Sequence, residues 1–359
     1  PAVPRRHPPP SSPEVDGCGT GSYTDVAAGG GGADGEGRKA EHLRQYPPQP
    51  LRTGSALVDH PALHRLSEDR RGVQQRLRLL HHSKLRGRYR SRSMEALLAE
   101  ARQLADSGVK ELIVIAQDIT RYGMDLEEPT SLAGLLKELC KLDFHWIRLH
   151  YLYPEVITDE LIDTIAREKK IVHYLDIPIQ HCNDGILKAM RRRNTRAELE
   201  DLFDRLRRAI PDLVVRTSLI CGLPGEGEAE FEELCQFLRE QKLQRVGVFQ
   251  FSPEEGTLAA AMEDQVDPET AARRVELVVD LQSRIMDEYN EARLGTVMEV
   301  LCEGFDAQAG CFAGRTYADS VEIDGRVLFT AAGAVPAGSF VNVRITGVSD
   351  GELTGEIEE

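Results

Sequence analysis

The chain has 359 residues, 41% of them hydrophobic, with a mean hydropathy of −0.35 and a formal charge of −15. It contains no run of about 18 apolar residues, which excludes a helical membrane span, and no signal-peptide pattern opens it. The acidic balance argues against broad nucleic-acid binding, which needs clustered Lys and Arg to neutralise phosphates.

The sequence starts at Pro1 and its first methionine is Met94, so it is expected to be a piece of a longer product. Seven cysteines (Cys18, Cys140, Cys182, Cys221, Cys235, Cys302 and Cys311) are scattered without paired spacing. They read as buried thiols rather than disulfides, with the cytoplasm as the expected compartment. Residues 1–27 hold one ordered-looking piece, SPEVDGCGTGSYTDVA, and residues 28–54, rich in Gly, Ala, Pro and Glu, read as a linker or another misread segment.

Residues 56–83 (ALVDHPALHRLSEDRRGVQQRLRLLHHS) show little periodicity and are crowded with Arg, Leu, His and Gln. Back-translated and read one base downstream, they are compatible with RLLTTPHYTAYLKIAEGCNNACAYCTI followed by Pro. In that reading Val73, Leu77 and Leu80 become cysteines spaced C-x3-C-x2-C. As written, the segment is expected to pack poorly or be disordered, leaving the following domain without a first strand. His60, His64, His81 and His82 invite a metal-site reading. Adjacent histidines are poor joint ligands, however, and the shifted frame accounts for His81 and His82 as Thr and Ile codons.

From Lys84 the chain becomes a well-patterned α/β protein. Apolar strand runs at 111–118 (ELIVIAQD), 146–153 (WIRLHYLY), 172–180 (VHYLDIPIQ), 213–222 (LVVRTSLICG) and 245–252 (RVGVFQFS) alternate with helical segments at 131–141, 158–167, 195–210 and 228–240. This alternation predicts a parallel sheet, and the absence of G-x-G-x-x-G after the first run favours a barrel or partial barrel over a dinucleotide fold. Polar residues stand where the strands end: Gln117 and Asp118, Gln180 and His181, and the loop Gly222, Leu223, Pro224, Gly225 and Glu226. In a parallel barrel those carboxyl ends form the active-site face. Residues 268–293 predict a long amphipathic helix. Five short strand patterns then follow, at 297–304, 311–317, 326–331, 340–348 and 352–357, as in a small β-barrel. No Lys, paired carboxylate or metal triad at a strand end supports an ordinary barrel hydrolase or aldolase.

The segments IAQDITRYGMDL, WIRLHYLYPEVITDELI, YLDIPIQHCNDGILKAMRRRNTR, RTSLICGLPGEGEAEFEE, VGVFQFSPEEGT and GRTYADSVEIDG resemble the RimO family. These are radical S-adenosylmethionine (SAM) methylthiotransferases that modify the β-carbon of an aspartate in ribosomal protein S12. The resemblance runs almost continuously from Lys84 to the C-terminus. It implies four parts: a remnant of the N-terminal methylthiotransferase domain (1–27), a linker and misread cluster-loop region (28–83), a partial (β/α) radical-SAM barrel with its C-terminal helix (84–293), and a small all-β TRAM barrel (294–359). Family members carry a stretch close to LTTPxxTAYLKIAEGCxNxCxYCxIP before LRGxYRSR, and the shifted frame reproduces it over 28 successive codons.

The resemblance also implies the cofactors. Three cysteinates of the family hold a [4Fe–4S] cluster whose open iron takes SAM, thiolate being the usual ligand of such clusters. An auxiliary cluster on the missing N-terminal domain supplies sulfur. Since Val73, Leu77 and Leu80 cannot ligate iron, the chain as written is expected to lack radical chemistry. By resemblance, the loop of Gly222, Pro224, Gly225 and Glu226 contacts the adenine of SAM, Gln117 and Asp118 lie where its amino group binds, and Gln180 and His181 face the cavity. Without the family, a plain strand-to-helix turn is the simpler reading of that loop. Arg191, Arg192 and Arg193 read either as a solvated helix end or as a contact to substrate or ribosomal RNA. Arg86, Arg88, Arg90 and Arg92 read either as holding SAM's carboxylate or as a cap on the barrel. The last 66 residues carry 11 Asp/Glu against Arg315, Arg326 and Arg344, a net −8, which suits a basic ribosomal protein better than bare RNA. That charge, and LHYLYPEVIT, favour the S12 enzyme over its tRNA-adenosine relative. A non-catalytic remnant that only binds the ribosomal protein is the other alternative. The sequence indicates no electron donor.

Overall fold

The computed structural model describes residues 64–68, 70–71 and 89–358. Val73, Leu77, Leu80, Arg86, Arg88 and the whole of 1–63 lie outside the described residues. The described elements start with β1 (His64–Glu68), β2 (Arg70–Arg71), β3 (Arg90–Ser91), α1 (Met94–Asp106), β4 (Glu111–Ile115) and α2 (Leu132–Leu139). β5 (Trp146–Leu149), α3 (Asp159–Arg167), β6 (Ile171–Asp176), α4 (Asp184–Ala189) and α5 (Arg196–Ala209) follow. Next come β7 (Val214–Cys221), α6 (Glu228–Gln241), β8 (Arg245–Gln250) and the long α7 (Pro268–Glu291). Five further strands finish the chain: β9 (Val297–Asp306), β10 (Cys311–Arg315), β11 (Val327–Thr330), β12 (Phe340–Ser349) and β13 (Glu352–Ile357).

Strands β1-β4-β5-β6-β7-β8 form one parallel sheet in that order. The first strand corrects the sequence reading, which left the barrel without one: His64–Glu68 pairs in register with Glu111–Ile115. The physical reason lies in β4, whose outer edge carries backbone N–H and C=O groups that any extended neighbour satisfies, whatever its side chains. β3 continues the strand-like alternation of arginines as a short antiparallel pair with β2.

Helix starts follow the sequence because the caps are there. Ser93, Ser131, Thr158 and Asn183 each accept a backbone N–H of the first turn, and Thr195 and Glu198 form a reciprocal capping box. One face of the sheet (Leu112, Val114, Ile147, Leu149, Leu175 and Val215) packs against these helices in a continuous apolar core. The alternate residues of the same strands point the other way, as the period of two requires.

β9–β13 close into a barrel of order β10-β11-β13-β12-β9 around Val300, Cys302, Phe329, Val343 and Ile345. The end of β10 and the segment after it, residues 315–324, lie against the sheet face that the helices leave uncovered. Trp146, Val172, Tyr174 and Val214 share an apolar cluster with Leu301 and Ala318. Around it runs a buried polar network. Arg148 donates to Glu111 at 2.6 Å and to the Tyr317 carbonyl at 2.7 Å, and Arg315 donates to the other Glu111 oxygen at 2.7 Å. Arg245 reaches Asp319 at 2.7 Å and Tyr174 donates to Asp324 at 2.6 Å. Burial raises the proton affinity of Glu111, but the two guanidinium charges and their hydrogen bonds outweigh it and hold its pKa at about 2.

Candidate functional site

The carboxyl ends of the parallel strands carry the residues singled out by sequence, in two groups. At the end of β4, Gln117 is half-buried and its Oε1 has no hydrogen-bond partner among the described residues. Asp118 is buried and closes its own turn: it accepts from the Thr120 N–H at 2.9 Å, from the Thr120 hydroxyl, and from Arg121 Nε at 2.9 Å. Arg121 also lies 3.7 Å from Glu155. The turn therefore holds the Asp118 carboxylate in place from several sides, and Gln117 is the member of the pair with an open polar atom.

The second group gathers after β6 and β7. Gln180 takes a left-handed backbone (φ 69°) and is tied to β7 by its N–H to the Ser218 carbonyl and its carbonyl to the Ile220 N–H, both at 2.9 Å. His181 is fully buried; its Nδ1 accepts from the Asn183 N–H at 3.0 Å, so the ring proton sits on Nε2. Nε2 lies 3.6 Å from Glu226 and makes no hydrogen bond among the described residues. Burial, reinforced by the Arg274 charge, pushes the His181 pKa down to about 3, so the ring is a neutral donor at physiological pH.

The loop after β7 is self-locked. Gly222 (φ 81°) donates its N–H to both oxygens of Glu226 at 3.0 Å, and Arg274 of α7 donates to the same carboxylate at 3.0 Å. Burial raises the Glu226 pKa, offset in part by the bonds from Gly222, Leu223 and Arg274. Pro224 is buried, while Gly225 (φ 83°) is exposed and donates to the Asp264 carbonyl at 2.7 Å. A Cβ on Gly222 would fall 2.4 Å from that of Ala271, so the loop and α7 meet where only glycine fits. The structure thus brings His181 and Glu226 together, with Glu226 shaping the loop from within. Gln117 and Asp118 stand two strands away from β6.

Sequence reasoning missed three groups on the sheet face that receives residues 315–324. Asp176, at the end of β6, accepts from Arg216 at 2.8 Å and lies 3.5 Å from His150 Nδ1, whose Nε2 is 3.0 Å from the Ser320 hydroxyl. The Arg216 charge and His150 keep the Asp176 carboxyl below its usual range despite its burial. The signal was present in W-x-R-x-H and Y-x-D, polar residues at every second position of otherwise apolar strands. Arg92, grouped by sequence with a carboxylate site, is paired with Glu100 at 2.6 Å, and Arg90 is exposed.

Among the described residues no three His, Cys, Asp or Glu side chains converge as a metal site, and the six described cysteines are all free. No described helix is long and apolar enough to cross a membrane.

Residues 72–238 match the Radical SAM superfamily and residues 294–357 the TRAM domain. A helix-backed parallel sheet with polar strand ends, followed by a closed five-stranded barrel, is thus the architecture of a radical SAM enzyme carrying a TRAM domain. Over 274 residues the chain is 45% identical to the ribosomal protein uS12 methylthiotransferase RimO of Caldanaerobacter subterraneus, covering 76% of this chain and 62% of that protein. The RimO proteins of Acetivibrio thermocellus (46% identity, 76% and 60% covered) and Pelobacter propionicus (48% identity, 77% and 62% covered) are similar to the same degree. The chain belongs to the RimO family. It spans about 60% of the length of these curated relatives. Among solved structures it is similar to SuiB of Streptococcus suis, with a TM-score of 0.45, 16% identity, and 62% of this chain and 47% of that one covered; at that distance the likeness adds no detail of the site.

Proposed function

We propose that this chain is the SAM-binding and substrate-gripping part of a methylthiotransferase whose substrate is an aspartate of ribosomal protein S12. The observation that carries the reading is the naming of relatives at 45–48% identity for that activity on uS12, joined to unsatisfied polar atoms at the strand ends. None of those relatives is named for tRNA.

The residues present suit SAM. Gln117 Oε1 is an acceptor for an ammonium group, and the neutral His181 Nε2–H is a donor beside the self-locked glycine loop. Buried polar atoms of this kind are ordinarily satisfied, so their grouping at one end of the sheet supports a polar occupant. Bound there, SAM supplies the adenosyl and methyl groups of the reaction.

The residues do not suit a [4Fe–4S] cluster. Such a cluster needs three thiolates in one loop, and the seven cysteines of the chain contain no C-x3-C-x2-C. Val73, Leu77 and Leu80, where the shifted frame has cysteines, offer no donor atoms. We therefore assign to the chain as written the binding of SAM and of S12, without radical chemistry. On the terminal barrel, Asp319 and Asp324 are spent on Arg245 and Tyr174, Glu299 on His145 and Glu358 on Arg344, which leaves the exposed Glu356 among the acids able to face a basic protein. The cytoplasm and a neighbouring ribosomal RNA contact belong to the same proposal.

The test is anaerobic reconstitution with iron and sulfide, followed by iron quantification, equilibrium dialysis with SAM and capture of S12. SAM and S12 binding without iron is the expected result. A visible charge-transfer band with stoichiometric iron would overturn the non-catalytic assignment. Failure to bind both SAM and S12 would overturn the family function for this chain. Resequencing codons 50–90 separates a reading-frame artefact from a genuine frame break.

A further inference from the structure

The inner face of the parallel sheet is closed unevenly. On β4, β5 and β6 its inward residues Glu111, Arg148, His150, Tyr174 and Asp176 are all buried. On β7 the inward Arg216 and Ser218 stay partly exposed, while their neighbours Val215, Thr217 and Leu219 are fully buried. On β8, which pairs Gly247 with Ser218, Gly247 is also partly exposed and Phe249 is 56% exposed. The wall is therefore open between β7 and the edge strand β8.

Arg216 is the cation of that open stretch. Its Nη1 donates to one oxygen of Asp176 at 2.8 Å. The other Asp176 oxygen faces the Tyr151 N–H at 3.3 Å and His150 Nδ1 at 3.5 Å. The ion pair is thus single-point, and Arg216 Nε and Nη2 make no hydrogen bond among the described residues. Asp324, the other carboxylate whose charge reaches Arg216, is spent on the Tyr174 hydroxyl and the Ser320 N–H. An arginine fork is shaped to donate two parallel N–H groups to both oxygens of a carboxylate, and Asp176 uses only one.

Gly247 stands beside the open side of this guanidinium. A Cβ there would lie 3.8 Å from Arg216 Nη2 and 3.4 Å from the Phe249 ring, at ordinary contact distances and with no left-handed backbone to require glycine. Glycine inside a strand weakens it, and often marks a place where a ligand or another backbone comes close. Arg216 also stands six residues before Gly222 along the chain of β7, about 20 Å at the rise of a parallel strand. A small molecule held at the strand-end loop leaves it free for a second one.

We propose that Arg216 recognises the carboxylate of the substrate side chain, in a slot between β7 and β8 that Gly247 keeps open. Asp176 steadies the guanidinium from the closed side, and His150 and the Tyr151 N–H steady Asp176. The inference rests on the S12 reading of the function and adds the residue that tells aspartate from its neutral counterpart.

The test is calorimetry on the full chain with three ligands: SAM, an S12 peptide spanning the target aspartate, and the same peptide with asparagine. The unaltered chain should prefer the aspartate peptide. Arg216→Gln, which still offers Asp176 an N–H, should abolish that preference and leave SAM affinity unchanged. The loss of a charge-assisted bond corresponds to roughly tenfold to a hundredfold weaker binding of the aspartate peptide. Gly247→Val fills the slot from β8 without touching the ion pair, so it should weaken the aspartate peptide at least tenfold. It decides the matter if Arg216→Gln does not fold. A preference retained in Arg216→Gln, unaltered peptide binding in Gly247→Val, or an equal loss of SAM affinity would overturn the assignment. So would an unaltered chain that binds SAM without preferring the aspartate peptide. An unaltered chain that binds neither SAM nor peptide would instead overturn the function itself.

Discussion

Replacing Glu111 with Gln removes the carboxylate that two buried guanidinium groups share, and the structure gives the size of the effect. Glu111 and Arg148 are both fully buried, and Arg315 nearly so. The carboxyl's pKa drops from 4.5 to about 2 on folding. At about 1.4 kcal/mol per pH unit, that drop corresponds to about 3 kcal/mol of stability at neutral pH. Breaking a buried pair by deleting one partner typically costs about 3–5 kcal/mol, which agrees. Because the folded-state value is depressed, the contribution is complete above about pH 4.5 and is lost as the pH falls from there through about 2. Urea unfolding of the chain and of Glu111→Gln, followed by far-UV circular dichroism at about pH 7 and about pH 3, reads both effects. The variant should lose about 3–5 kcal/mol at neutral pH and show a shallower acid limb. A loss below about 1 kcal/mol would refute the placement of Glu111 as the shared anion of Arg148 and Arg315. A second substitution, Arg315→Met, on top of Glu111→Gln should cost less than the two singles added together, because it removes one of the stranded charges.

Gly222→Ala should shift the glycine loop against Ala271 and weaken SAM binding at least tenfold in equilibrium dialysis, since both the positive φ and the 2.4 Å approach forbid a Cβ. The ring protons of His181 should show no titration between about pH 5 and pH 8 by NMR, because its charged form is stable only below about pH 3; an inflection near 6.5 would contradict its burial. Having a depressed folded value, the same histidine lowers stability progressively as the pH falls below its unfolded value. Ending the chain after Arg293 should yield an insoluble or molten product, judged by near-UV circular dichroism, because it uncovers Trp146, Val172, Tyr174 and the Glu111–Arg148 pair and strands Arg245.

Much of the fold was legible because its strands and helices obey their own periods. The helix predicted over 195–210 is observed at Arg196–Ala209, where Thr195 and Glu198 supply both halves of the cap. Each of the five C-terminal strands was legible from its turn residues. The short α4 was not, since six residues are too few to show a period. β1 escaped notice because a backbone edge recruits it, and backbone recruitment leaves no mark in side-chain pattern. At the site, Gly222 and Glu226 were visible from their spacing, yet the sequence does not tell that Glu226 bonds its own loop. Arg192 was hidden inside a charge run: three adjacent arginines look alike until the turn after α4 sends the middle one inward. His150, Asp176 and Arg216 were obscured because the group is completed by Ser320, which meets His150 from the segment after β10, far along the chain.

The contact between Glu111 and Arg315 spans 204 residues of sequence. At roughly 5–20 residues per second of synthesis, the carboxylate leaves the ribosome about ten to forty seconds before its second cation exists. Arg148, 37 residues along, arrives within about two to seven seconds and provides the first. The parallel sheet is therefore translated with a charged, half-finished inner wall, and the cation that completes it is made 204 residues later. A ribosome that stalls near residue 300 leaves a sheet whose hydrophobic back is covered and whose polar front is not.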